Sequence, residues 1–160
     1  MKNVTLRAVR GADIVTFFEH QLDPAARHMA AFTSTAAGDW DAFVERWEKI
    51  QSDKSIIARA IIFEGQVAGN IISFERYGQR EVGYWLGREF WGKGIATAAL
   101  TQFLQELTIR PLHARVAKDN VASRRVLEKC GFQLEREVKG FANARGEEIG
   151  EYMMRLENGD

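Results

Sequence analysis

Apolar and polar residues alternate at the start of the chain, with Val4, Leu6 and Ala8 set against Thr5 and Arg7. A period of two puts successive side chains on opposite faces, so residues 4–9 predict a β-strand. The period then lengthens. Residues 14–22, IVTFFEHQL, read as a helix with Asp13 as its cap. Residues 39–50 place Trp40, Phe43, Val44 and Trp47 at helical spacing, which predicts a second helix with a tryptophan-rich core face. Residues 23–38, with Pro24, several alanines and three hydroxyl residues, carry no regular period.

From residue 55 the texture is that of a sheet. SIIARAIIF and VAGNIISFERY flank EGQ as the arms of a hairpin, and EVGYWLG, residues 81–87, follows as another strand. Ala96, Ala99, Leu100, Phe103 and Leu107 then mark one face of a helix reaching about Thr108. LHARVA, residues 112–117, is a short strand. Asn120 can cap a helix over VASRRVLEK, and Gly131 suits its end. FQLEREV and IGEYMMRLE supply two last strands, joined by residues 139–148. This order predicts a mixed α/β fold, with helices laid against one sheet.

Composition narrows the function classes. The chain has 160 residues, the size of one domain, and no linker or repeat divides it. Its 22 basic and 22 acidic residues cancel, which argues against a broad electrostatic grip on nucleic acid or a membrane surface. The single cysteine, Cys130, permits no intrachain disulfide, and the three histidines are scattered without metal-ligand spacing. No metal is expected. The N-terminus lacks the apolar run of a signal peptide, and a cytoplasmic setting is the expectation.

WGKGIAT, residues 91–97, is the candidate for chemistry. It is not a Walker loop, because Lys93 is followed by Gly94 and no earlier glycine stands at the right distance. It is not a dinucleotide fingerprint, because Thr97 stands where a third glycine is required. What remains is a strand, a glycine turn and a helix N-terminus. Unpaired N–H groups and the helix dipole suit such a place to a phosphate or diphosphate. A bare turn is the competing reading.

EVGYWLGREFWGKGIATAAL, followed about twenty residues later by ARVAKDNVASRRVLEKCGFQLE, resembles the GNAT family of acetyl-CoA-dependent N-acetyltransferases, and within it the RimJ/RimL-like branch. The family pattern Gln/Arg-x-x-Gly-x-Gly/Ala falls on residues 91–96, with Trp91 at its first position, as is usual in that branch. The resemblance implies a central twisted sheet of about seven strands with four helices. Two neighbouring parallel strands, 81–87 and 112–117, would splay to admit the pantetheine arm. Trp85, Leu86 and Gly87 would pair with its amides, while Trp91, Gly92, Lys93, Gly94, Ile95, Ala96 and Thr97 would hold the diphosphate. Asn120 and Ser123 would also touch the coenzyme.

The same resemblance implies a direct attack of a primary amine on acetyl-CoA. The N–H of Leu86 would face the developing oxyanion, and Ser123 would donate to the departing thiolate. The tyrosine that many members place on the second signature helix falls on Leu127. A thiol of pKa about 8.5 is a fair leaving group without it. Glu81 ranks first as general base, with Glu75, Glu147 and Glu148 behind it; the glutamate position of RimL falls on Ala142. About 14% of an α-amine is neutral at pH 7, against about 0.04% of a lysine amine. A protein without an evident base therefore suits α-amino groups of peptides or small metabolites, entering past residues 23–38 and 139–148. A homodimer is compatible with this picture. The competing classes are an acyl-CoA-binding sensor without catalysis and a nucleotide binder of another fold.

Overall fold

The computed structural model describes residues 3–34 and 38–157. In chain order the elements are β1 (Val4–Ala8), α1 (Gly11–Leu22), α2 (Pro24–Ala30), α3 (Trp40–Ser52), β2 (Ile57–Phe63), β3 (Gln66–Arg76), β4 (Gln79–Leu86), α4 (Ile95–Glu106), β5 (Leu112–Ala117), α5 (Val121–Lys129), β6 (Gln133–Ala142) and β7 (Glu147–Leu156). A single 3₁₀ turn, Arg88–Phe90, links β4 to the glycine stretch.

The seven strands form one sheet in the order β1-β2-β3-β4-β5-β7-β6. Every neighbouring pair is antiparallel except β4 and β5, which are parallel. One face carries the larger core. Ile61, Ile71, Val82, Leu112 and Met154 of the sheet meet Ala99, Leu100 and Phe103 of α4 and Leu127 of α5 there. The other face packs Ala60 against Ile14, Phe17, Trp47 and Ile50 of α1 and α3. A third, small cluster joins Ala31 and Phe32, just past α2, to Ala117, Ala142 and Ile149.

Among the described residues five α-helices stand where four are expected. The additional one is α2, in the stretch without periodicity. Its seven residues are too few to display a period, yet its start is well made: Asp23 accepts from the N–H of Ala26 at 2.9 Å and Pro24 occupies the first turn. Asp13 is not the cap of α1. It is the third helical residue, and its carboxylate accepts from the N–H of Arg10 at 2.8 Å and from the Arg7 guanidinium at 2.7 and 3.0 Å. Burial pushes the Asp13 carboxyl up, but these donors hold it below the usual carboxylate range. Trp47 is core as expected, whereas Trp40 is 41% exposed and rests edge-on against Phe18.

Candidate active site

The site begins with a fault in the sheet. β4 and β5 pair through one register position, Glu81 opposite His113. β4 continues to Leu86 and β5 to Ala117 without extending the ladder, so the two strands part toward their C-terminal ends. On the β3 side, β4 stays paired, and the N–H of Gly87 donates to the carbonyl of Ala68 at 2.9 Å. Hydrogen-bonding direction alternates along an antiparallel strand. The N–H of Leu86 therefore turns away from β3, toward the parting with β5. The Trp91 indole donates to the Leu86 carbonyl at 3.2 Å and folds the glycine stretch back over the end of β4.

That stretch has its glycines where the backbone demands them. Gly92 and Gly94 have φ of 74° and 77°, a region that costs an L-residue about 1–2 kcal/mol. A Cβ at either position would meet nothing within 4 Å. The constraint is thus the turn itself, and the space before it is open. Gly94 caps α4 without any side-chain hydrogen bond, so the N–H groups of Ile95, Ala96 and Thr97 face that open side. The side chains of Ile95 and Ala96 point the other way, into the larger core. Lys93 is exposed.

α5 closes the site from the larger-core face. Asn120 caps it, accepting from the N–H of Ser123 at 3.3 Å and donating to the Met29 carbonyl at 3.4 Å, which ties α2 to α5. The Ser123 hydroxyl lies 2.8 Å from the hydroxyl of Tyr84 on β4. Burial pushes the Tyr84 phenol up to about 12, against the opposing pull of Ser123. It stays protonated at any physiological pH. Cys130, at the far end of α5, has its thiol pushed up by burial.

On the opposite face a charged floor lies under the parting. Glu81 is 2% exposed and accepts from Arg76 at 3.1 and 3.3 Å and from Nε of Arg115 at 3.1 and 3.3 Å. Arg115 also reaches Glu151 of β7, at 3.5 Å. One guanidinium therefore bridges two carboxylates from different strands. Gly83, two residues beyond Glu81, has no atom of the described residues within 4 Å of where its Cβ would stand. It leaves a hollow in the middle of the sheet. The general-base role expected for Glu81 is at odds with this geometry, because three guanidinium N–H groups, that of Arg115 shared between both oxygens, already engage it.

Residues 3–133 match the family model described as the acetyltransferase (GNAT) domain. The chain belongs to the GNAT acetyltransferase family. It is 33% identical, over 96 residues, to the uncharacterised N-acetyltransferase p20 of Bacillus licheniformis; the match takes in 58% of this chain and 53% of that protein. The chain thus spans about half the length of the curated relatives it matches. Among solved structures, a GNAT superfamily phosphinothricin acetyltransferase from Sinorhizobium meliloti in complex with AcCoA superimposes with a TM-score of 0.82 at 20% identity, over 98% of this chain and 89% of that one. Mycobacterium smegmatis RimJ in complex with CoA-disulfide gives 0.78 at 22% identity, over 96% and 81%. These likenesses establish the GNAT fold.

Glu75 is exposed and sits 3.8 Å from Arg80, and Glu147 and Glu148 are exposed at the start of β7. Leu127 and Ala142 are buried and apolar. Of the acceptor route expected past 23–38 and 139–148, residues 35–37 lie outside the described residues. Arg145 of the second segment donates to the His28 carbonyl at 2.8 Å and joins the two walls. No group of three or more His, Cys, Asp or Glu among the described residues could hold a metal. No described helix is long and apolar enough to cross a membrane.

Sequence reasoning did not single out Tyr84, Arg115 or Glu151. Tyr84 reads as one more apolar position of its strand. The signal for the other two was a charge at an alternating position inside the apolar strands LHARVA and IGEYMMRLE. Which face of the sheet receives that charge follows only from the register.

Proposed function

We propose that the protein transfers the acetyl group of acetyl-CoA to a primary amine, by direct attack within a ternary complex. The observation that carries this reading is the parting of β4 and β5 beside a helix N-terminus fronted by two left-handed glycines. The residues present suit the coenzyme. Open N–H groups at 95–97 and the positive end of α4 offer an anion site, and Gly92 and Gly94 leave room before it. Of the expected Trp85, Leu86 and Gly87, the backbone of Leu86 turns to the open edge of β4, on which pantetheine amides would pair as an added strand, while Gly87 is engaged by Ala68 of β3. Acetyl-CoA supplies a thioester, activated for acyl transfer.

The rest falls to the chain. Leu86 offers its N–H to the oxyanion that develops as the amine attacks; one such donor contributes roughly 2.7–4 kcal/mol where measured. Ser123 donates to the sulfur as the C–S bond breaks. A phenol is a better donor than an alcohol, so Tyr84 gives its hydrogen to Ser123 and leaves the serine hydrogen free for the thiolate. This pair does the work of the tyrosine absent at position 127. The acceptor enters over the charged floor, between the α2 segment and the β6–β7 connection. Peptide or small-molecule α-amines fit best, because a sizeable fraction is neutral near pH 7.

A panel of primary amines with acetyl-CoA, read by thiol release, tests this directly. Turnover on at least one amine is expected. Binding of acetyl-CoA without turnover on any would support the sensor. Ser123→Ala is expected to lower kcat about tenfold with the KM for acetyl-CoA unchanged, and Tyr84→Phe to act in the same direction more weakly. Wild-type rates in Ser123→Ala would leave the serine as part of the helix cap alone.

A further inference from the structure

The charged floor holds two buried carboxylates in unequal circumstances. Glu81 has both oxygens engaged by guanidinium groups. Glu151 is 8% exposed and has one ionic partner, Arg115 at 3.5 Å. That single guanidinium contact, at the long end of hydrogen-bonding distance, engages one of its oxygens. Its lone pairs are therefore available in a way that those of Glu81 are not.

The register places this carboxylate beside the parting. Glu151 lies opposite Ala117, the last residue of β5, and Met153 lies opposite Arg115. Glu81, Gly83 and Trp85 alternate on one face of β4, and His113, Arg115 and Ala117 share that face on β5. Glu151 thus belongs to the same floor as the hollow over Gly83, at the end where β4 and β5 have separated. Its charged neighbours are Arg115 from β5, Arg76 from β3 and Glu81 from β4; Ala31 and Phe32, just past α2, pack against Ala117, the residue opposite it.

Resting on the acetyl-transfer reading, we propose that Glu151 accepts the proton of the acceptor's ammonium group, with Arg115 holding it at the floor of the cleft. The ammonium N–H bond breaks, the proton passes to a Glu151 oxygen, and the freed lone pair forms the N–C bond to the thioester carbon. The C–S bond then breaks with its electron pair on sulfur. The proton left on the new amide nitrogen goes to the thiolate through Ser123 or to water, and Glu151 releases its own proton to water. Burial raises the Glu151 carboxyl above its usual range, against the pull of Arg115 and Arg76. A carboxylate poised upward is better matched to an amine near neutrality than an ordinary one.

The test is the pH dependence of kcat/KM for a peptide α-amine in the wild type, Glu151→Gln and Glu151→Asp. The wild type can use the ammonium form, so its rate should hold below the amine's pKa until Glu151 itself protonates. Glu151→Gln can use only neutral amine. Its deficit should be about tenfold near pH 8 and grow about tenfold for each further pH unit below the amine's pKa. Glu151→Asp, which keeps the charge but retracts it, should lose about tenfold and retain the wild-type profile. The KM for acetyl-CoA should not move in either variant. A constant wild-type to Glu151→Gln ratio across pH would overturn the base role, even if the variant melts lower. Should Glu151→Gln fail to fold, an Asp variant with wild-type rates would overturn it equally. Wild-type protein that binds acetyl-CoA but acetylates no amine would instead overturn the reading on which this inference rests.

Discussion

Gly94→Glu is expected to abolish acetyl-CoA binding while the fold survives. Three effects act together. The residue has φ of 77°, so any side chain adds about 1–2 kcal/mol of backbone strain. The Cβ would enter the open space before α4, where nothing lies within 4 Å and where the diphosphate is placed in this account. The carboxylate would then face an anion. Two unit charges 4 Å apart repel by about 4 kcal/mol at an effective dielectric near 20. The repulsion alone is a loss of affinity of about a thousandfold, while the strain, present with or without the coenzyme, lowers stability. Gly94→Ala separates the causes, since it carries the strain and little else. It should melt a few degrees lower and bind more weakly, though measurably. Calorimetric titration of both variants checks this, and wild-type affinity in Gly94→Glu would remove the glycine turn from the site.

The second large effect is expected in stability. Glu81→Gln removes the charge that Arg76 and Arg115 share, at a side chain only 3% exposed. Breaking a buried ion pair by deleting one partner costs about 3–5 kcal/mol. Arg76 is 44% exposed and can be rehydrated, so the lower end, about 3 kcal/mol, is expected here. For a chain of this length that is a fall in Tm of about 6–12 °C. At a temperature where the variant is folded, its kcat/KM should follow pH as the wild type does. An unchanged Tm with activity lost at neutral pH would return the base role to Glu81 and take it from Glu151.

The fold was largely legible because its signals are local. The strand from Val4 and the helix faces through Trp47 and Phe103 each show their period within a dozen residues, and the Asn120 cap is a single residue in the right place. The glycine turn was legible for the same reason, since Gly92 and Gly94 stand directly before an apolar helical run. Failures came where the signal is short or distributed. α2 has seven residues and shows no period, and Trp40 kept the spacing of a core residue while lying at the helix start, over Phe18. The parting of β4 and β5 is not written in either strand; it was expected only through the family resemblance. The floor was hidden most completely. Glu81, Arg115 and Glu151 come from three strands, and each looks like an ordinary polar position in its own segment. Only the register, with His113 opposite Glu81 and Ala117 opposite Glu151, brings their charges to one place.

The most direct measurement is a crystal structure of the protein with acetyl-CoA. The account predicts diphosphate oxygens about 3 Å from the N–H groups of residues 92–97, and the thioester carbonyl oriented toward the N–H of Leu86 between β4 and β5. A coenzyme seated elsewhere, with those amides facing solvent, would contradict it.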